Sequence, residues 1–361
     1  MMNTQPKIGV VIIGINVEKY LADCIRSVRS ADYPQDLIEI VYADGGSRDN
    51  SPAIAKAIDG VAVIELNDRH PTPGRGRNAG WKYLSTPLIQ FMDADTELEP
   101  GWFKDAYRLL IDRVAAVCGH RREKHPAKNN YHRLVDMEWH YEIGPCRYFG
   151  GEVLIQREVL EETGGFDEAL IAGEDPELSY RIRQSGWQIL RIDAPMTTHD
   201  INMSGFRQYL KRAFRSGYAY AEIGLRFIRN QEKLWLREMT RIVAKALLPV
   251  GLVVVGVMMS KPLLGLLLGL LIFTKPFFGI GRIRRTYQQT WHMCLVYAGH
   301  TALVVYPQFC GILRYFWGML TRNPLKNRGL ESRGVMVVSP DADHEKTAKI
   351  TVEEKHNQNG A

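Results

Sequence analysis

Along the first hundred residues, apolar positions fall into short blocks that alternate between two patterns. Ile8–Ile13 is a continuous apolar run, Leu21–Ser30 carries its apolar residues at helical spacing, and Ile38–Tyr42 is continuous again before Asp44-Gly45-Gly46-Ser47. This predicts strand, helix, strand and loop. A helix over Ser51–Ile58, a strand over Ala62–Leu66, a helix after Gly74 and a strand over Leu88–Met92 extend the alternation. Alternating β and α elements with short links predict an α/β domain on a parallel sheet, with ligands at the carboxyl ends of the strands.

The pattern then loosens. Trp102–Arg147 reads as helical but less regular, with the charged stretch His120–Lys128 as a loop; a strand over Glu152–Arg157, a turn at Gly164-Gly165 and a helix over Asp175–Ser185 follow, the helix stopping at Gly186. The globular domain is expected to close near Asp200, giving a first unit over 1–200. From Leu225 to Lys245, Arg226, Arg229, Lys233, Arg237, Arg241 and Lys245 recur every three or four residues among apolar side chains. That spacing predicts a cationic amphipathic helix within a segment 201–245, suited to lie on a membrane or to dock on the domain.

Two apolar runs, Ala246–Met259 and Pro262–Thr274, have 14 and 13 residues. Each is short of the roughly 20 that a bilayer core requires, so a tight hairpin over 246–274 is expected. A third run, Met293–Leu320, is long enough to span but holds His300, Pro307, Gln308 and Arg314, which are costly in hydrocarbon unless shielded; a partly interfacial segment 293–320 is expected. The polar tail 334–361 reads as disordered.

Charge sharpens this division. The net charge of +6 hides 20 Lys and Arg against 4 Glu over 201–334, and 26 against 36 elsewhere. The basic half is also the apolar half, which points to an anionic membrane surface; with no DNA- or RNA-binding signature, nucleic acid is not expected as a partner. Five cysteines without a CxxC pair indicate neither a disulfide framework nor a zinc site and suit a reducing cytosolic face. No cleavable signal peptide is evident.

Candidate chemistry gathers at strand ends. Phe91-Met92-Asp93-Ala94-Asp95 is an apolar strand ending in two carboxylates one residue apart, a spacing that can set one on a hard divalent cation and the other against ribose or sugar hydroxyls. Asp44 ends the second strand before two glycines that let backbone approach a ligand. Gly74-Arg75-Gly76-Arg77-Asn78 offers guanidinium and backbone donors to an anion.

Five ordered segments resemble family 2 glycosyltransferases with the GT-A fold. They are Val10–Leu21 with Asn16 and Glu18, Tyr42–Asp49, Gly74–Gly80, Asp93-Ala94-Asp95 and Gly164–Arg181, covering about Lys7 to Asp200. The resemblance implies a nucleoside diphosphate sugar, possibly a UDP-sugar, held by Asn16, Glu18, Asp44, Arg77 and Asp93, with Asp49 as a further candidate. It implies Mg²⁺ or Mn²⁺ on Asp95 and His199. It also implies an acidic pair, Glu174 and Asp175, at the acceptor pocket, with Asp175 taking the proton from the attacking hydroxyl so that the anomeric centre inverts. The basic stretch with Phe206, Arg207, Arg212, Arg215 and Gly217 is a candidate to close over the donor. Where processive relatives carry Gln-x-x-Arg-Trp, this chain has Arg212-Ala213-Phe214-Arg215, which favours one sugar per encounter. Gly14-Ile15 stands where the family has proline and aromatic residues, leaving base identity open. The expected enzyme sits at the cell membrane with its catalytic domain in the cytoplasm. Its acceptor is a hydroxyl of a lipid-linked glycan; a polyprenyl phosphate acceptor and a non-catalytic assembly scaffold are the alternatives.

Overall fold

The first four strands, Ile8–Gly14 (β1), Ile38–Asp44 (β2), Val61–Glu65 (β3) and Leu88–Asp93 (β4), lie parallel in the order β3-β2-β1-β4. β1 is buried at every position but its last, because neighbours flank it on both edges and layers cover both faces, which explains its unbroken apolar run. The helices Leu21–Arg29 (α1), Ser51–Lys56 (α2) and Pro73–Tyr83 (α3) make the crossovers. The computed structural model describes residues 5–66, 70–230, 232–326 and 336–338.

The order reverses between β1 and β4, and there the sheet becomes mixed. Thr96–Leu98 (β5), Val114–Glu123 (β6), Gly144–Pro145 (β7), Val153–Gln156 (β8) and Gln188–His199 (β9) extend it as β4-β8-β6-β9-β5, with β7 also on β9. Short helices Trp102–Ala106 (α4), Asn130–Glu138 (α5), Arg157–Thr163 (α6) and the longer Glu174–Gln184 (α7) pack around this half. One expectation is overturned here: His120–Glu123, read as loop, is the end of β6. Two of its charged side chains find acids, Arg121 on Glu152 at 2.9 Å and Arg122 on Asp136 at 2.9 Å.

The C-terminal part is helical: Phe206–Arg226 (α8), Leu236–Met258 (α9), Pro262–Thr274 (α10), Ile280–Tyr287 (α11), Trp291–Leu303 (α12) and Val305–Leu320 (α13). The amphipathic helix expected over Leu225–Lys245 is not continuous. α8 ends at Arg226, Lys233 and Trp235 take left-handed backbone conformations (φ 46° and 57°), and a new helix starts at Leu236. Arg226 is drawn to Asp167 of the domain, so the cations do not form one face.

α9 and α10 lie antiparallel and so close that a Cβ on Gly256 would lie 2.7 Å from the Gly265 Cα. At 23 residues, α9 is about 35 Å long. Leu236–Met258 and Pro262–Tyr287 are long and apolar enough to cross a membrane, and most of their apolar side chains, such as Met258 and Leu263, are exposed. The third run is different. α13 lies against α8, where a Cβ on Gly217 or Gly311 would meet backbone of the other helix at 1.9 or 2.1 Å, and His300 of α12 reaches Tyr209 (2.8 Å) and Glu138 (3.0 Å). His300, one of its polar residues, is thus partnered by protein. Of the tail, Met336–Val338 (β10) pairs antiparallel with β3, against the expectation of disorder there; 339–361 lie outside the described residues.

α3 approaches β1 so tightly that a Cβ on Gly80 would sit 2.3 Å from Val11 Cγ1. Gly80→Ala is expected to destabilise the domain by about 1–3 kcal/mol, read as a lower urea midpoint; an unchanged midpoint would mean that this contact does not set the packing of α3.

Candidate active site

Parallel register brings three strand ends level: Gly14 pairs with Asp44, and Ile13 with Asp93. The loops beyond them are tied to each other. Asn16, at φ 55°, accepts from the Arg48 N–H (2.8 Å), and its own N–H donates to Ser47 Oγ (2.8 Å); Glu18 accepts from Asn50, while its N–H donates to Asp49 (3.1 Å). Asn16, Glu18 and Asp49 therefore rim the first two strands. Asp44 departs from expectation. It is 1% exposed and accepts from the Tyr42 hydroxyl (2.9 Å) and the N–H groups of Gly46 (2.9 Å) and Ser47 (2.8 Å), so its carboxylate braces the turn.

Arg77 also departs from expectation. Thr72 caps α3 by accepting from the Arg75 N–H and Pro73 occupies the first turn, so the glycine- and arginine-rich motif begins the helix and does not precede it. Gly76 and Gly80 face β1 and β2, and Arg77 turns inward, 2% exposed. Its guanidinium donates to Glu174 Oε1 (2.7 Å) and Asp93 Oδ1 (3.0 Å), lies 3.5 Å from Asp175 Oδ1, and stacks over Phe166. Burial works against its charge, but Asp175, Asp93 and Glu174 together raise its pKa above the ordinary value. Arg77 thus binds the end of β4 to the start of α7.

The start of α7 is built for this contact. Gly173, at φ +89°, turns the chain so that Glu174 and Asp175 open the helix, where the positive end of the dipole favours them. Asn78 holds the preceding loop in place: its side chain donates to Phe166 O and accepts from Phe166 N–H, both at 2.9 Å. Asp175 accepts no hydrogen bond at Oδ1; burial, only partly offset by Arg77, pushes its carboxyl up to about 8.

Asp95 and His199 meet because β5 and β9 pair with Thr96 opposite His199. Asp95 Oδ1 lies 3.1 Å from His199 Nε2. Although burial disfavours both charges, this contact holds the Asp95 carboxyl below its usual range and raises His199. One carboxylate and one imidazole side by side on a cleft wall suit a divalent metal such as Mn²⁺. Another set of potential ligands, Glu123, His132 and Asp200, lies buried nearby. Glu123 accepts from His132 (2.7 Å) and from the N–H groups of His125 and Ile201, and so pins the chain just after His199.

Of the clefts that open on these residues, two share Asp93. The larger, 980 Å³, runs over the ends of β1, β2 and β4 and is lined by Asp93, Asp95 and His199, with Lys211, Phe214 and Arg215 of α8 and Lys326 above. Of the basic stretch expected to cover it, Arg215 does so; Arg212 bonds Glu138, and Gly217 packs on α13. The smaller, 350 Å³, contains Glu174, Asp175 and Arg77 together with Arg121, Arg191, Tyr141, Tyr148 and Trp235. Asp93 and Pro73 line both. No local motif marks the last five residues: Arg121 falls in the charged stretch expected as loop and Trp235 in the expected amphipathic helix.

Known glycosyltransferases are similar to this chain in sequence and in fold. Residues 9–167 match the model of glycosyl transferase family 2, and 132–205 match that described as the N-terminal domain of galactosyltransferase. Glycosyltransferase AglE of Haloferax volcanii is 23% identical over 233 residues, 62% of this chain and 76% of that protein. The succinoglycan biosynthesis protein ExoU of Rhizobium meliloti is 29% identical over 191 residues, 46% of this chain and 55% of that one. In three dimensions the chain is similar to a mannosyltransferase, PcManGT of Pyrobaculum calidifontis, solved with GDP-Man and Mn²⁺, at TM-score 0.55 and 16% identity over 89% of this chain and 88% of that one. Residues 9–167 thus resemble the family 2 glycosyltransferases, and the chain has the GT-A fold.

Removing Arg77 leaves a buried Glu174 without its cation. Arg77→Met is expected to destabilise the fold by about 3–5 kcal/mol in chemical denaturation. A loss below 1 kcal/mol would show that the acids do not depend on it.

Proposed function

We propose that this protein is an inverting, metal-dependent glycosyltransferase that moves one sugar at a time from a nucleoside diphosphate donor to a hydroxyl of a lipid-linked, cell-surface glycan. The observation carrying this reading is that two clefts meet at Asp93, one walled by Asp95 and His199, the other by Asp175.

The donor occupies the larger cleft, its nucleoside on the rim made by Asn16 and Glu18 and its diphosphate towards Asp95, His199, Lys211 and Arg215. Asp95 and His199 would hold Mg²⁺ or Mn²⁺, which supplies positive charge to the departing diphosphate. Asp93 stands where the clefts join and accepts from sugar hydroxyls. The acceptor enters through the smaller cleft. Asp175 takes the proton from its hydroxyl as the oxygen attacks the anomeric carbon opposite the diphosphate, and single displacement inverts the centre. A raised carboxyl pKa suits a base that must first capture a proton and later release it near neutrality. Arg77 acts through the carboxylates, holding Asp93 and Glu174 in place beside Asp175. A polyprenyl phosphate needs no base, so the desolvated Asp175 favours a hydroxyl acceptor.

Membrane attachment is supported by the exposed α9–α10 hairpin. Both of its ends return to the catalytic domain, and cations lie at each: Arg237, Arg241 and Lys245 in α9, and Arg282, Arg284 and Arg285 in α11. Cations on the domain side suit a cytoplasmic catalytic domain at the inner face of the cell membrane.

Asp175→Asn is expected to lower transfer by about 10²–10⁴-fold while nucleotide binding, followed by calorimetry, persists; near-normal transfer would remove Asp175 as base. The wild-type rate should rise with pH up to about 8. Stability should run the other way. Between the ordinary value of 3.8 and about 8 the folded state binds the extra proton, so the contribution of Asp175 to stability falls as pH rises, and Asp175→Asn should flatten that slope in pH-dependent melts. Chelation by EDTA should abolish transfer, and Mn²⁺ or Mg²⁺ should restore it; activity indifferent to EDTA would exclude a metal on Asp95 and His199.

A further inference from the structure

In the smaller cleft the acids sit at one end. Asp93, Glu174 and Asp175 gather on Arg77, and Glu152 pairs with Arg121 at 2.9 Å. Arg191, on β9, pairs with no carboxylate among the described residues; the Cys146 thiol beside it, hydrogen-bonded to Cys118, is held below its usual range in part by this guanidinium. Arg191 is 6% exposed, one nitrogen donates to the Tyr148 carbonyl at 3.2 Å, and its buried Nε meets no acceptor. Its guanidinium lies over the Tyr141 ring, 4.1 Å from the centroid, which fixes its plane. A desolvated guanidinium with donors to spare, held flat at the wall of a pocket, is a receptor for a planar or tetrahedral oxyanion.

We propose that the acceptor carries a negative charge, a carboxylate or phosphate close to the hydroxyl that is glycosylated, and that Arg191 binds it. This rests on the glycosyltransferase reading and narrows its acceptor to an acidic glycan. Tyr141 and Trp235 offer flat apolar faces to the sugar ring between that anion and Asp175. The acid belongs to the acceptor and not to the donor, because Arg191 lines the cleft of Asp175 and is absent from that of Asp95 and His199.

Calorimetric titrations of the full chain, saturated with UDP or GDP and Mn²⁺, would use methyl glucoside, methyl glucuronide and glucose 6-phosphate as probes. At least one acidic probe should bind about tenfold or more tightly than methyl glucoside, and which one does so distinguishes a uronic acid from a phosphorylated sugar. That preference should vanish in Arg191→Gln and survive in part in Arg191→Lys. Equal binding of all three probes to the wild-type protein would overturn the proposal without recourse to a variant. So would an acidic preference that persists in an Arg191→Gln protein of unchanged melting temperature. The nucleotide titration reports separately on the underlying reading: failure of both nucleotides to bind would count against the glycosyltransferase, whatever the sugars do.

Discussion

Burying a guanidinium is costly unless acceptors offset the lost water, and the region between the two clefts is organised around that cost at Arg77. Its partners come from distant parts of the chain: Asp93 from the end of β4, Glu174 and Asp175 from the start of α7. α3 can present the arginine because Gly76 and Gly80 allow the helix to lie directly on the sheet, and α7 can present the acids because Asn78, one residue after Arg77, grips the loop before it. One side chain therefore couples the spacing of three elements. A closer fit elsewhere could not substitute, since an unpaired carboxylate would remain.

That coupling has a chemical result. Three carboxylates around one cation cannot all be equally comfortable as anions. Asp175, without a hydrogen bond at Oδ1, is the one whose proton is retained to higher pH. Asp95 lies in the opposite situation, paired with His199 and held below its usual range. The domain thus sets two aspartates to different affinities for a proton.

The helical half is not a detached anchor. α8 and α13 meet through Gly217 and Gly311 at distances that exclude any side chain, and α8 carries Lys211, Phe214 and Arg215 over the larger cleft. The turn between α8 and α9 sets Trp235 in the smaller one. The elements leading into the apolar hairpin therefore complete both clefts, which gives a physical link between the hairpin and the site.

Periodicity alone determined the strands β1 to β4, the helices between them and the apolar hairpin, because each buries or exposes a whole face and the pattern is local. The strand-end carboxylates Asp93 and Asp95 and the helix-start pair Glu174 and Asp175 were legible for the same reason: they follow strands or open helices whose ends the sequence marks. Beyond that, only the tertiary structure decided roles. His120–Glu123 is strand and not loop because its charges find Glu152 and Asp136 across the fold, and a local window sees only that they are polar. Asp44 braces a turn and Arg77 holds carboxylates, although motif position marked both as ligands, because burial depends on what packs above them. The helix predicted over Leu225–Lys245 breaks at Trp235, whose ring is drawn to Tyr148 and Tyr220. Arg191 and Arg121 carry no motif at all; that Glu152 reaches Arg121 and no carboxylate pairs with Arg191 among the described residues is a property of distances between elements and not of spacing along the chain.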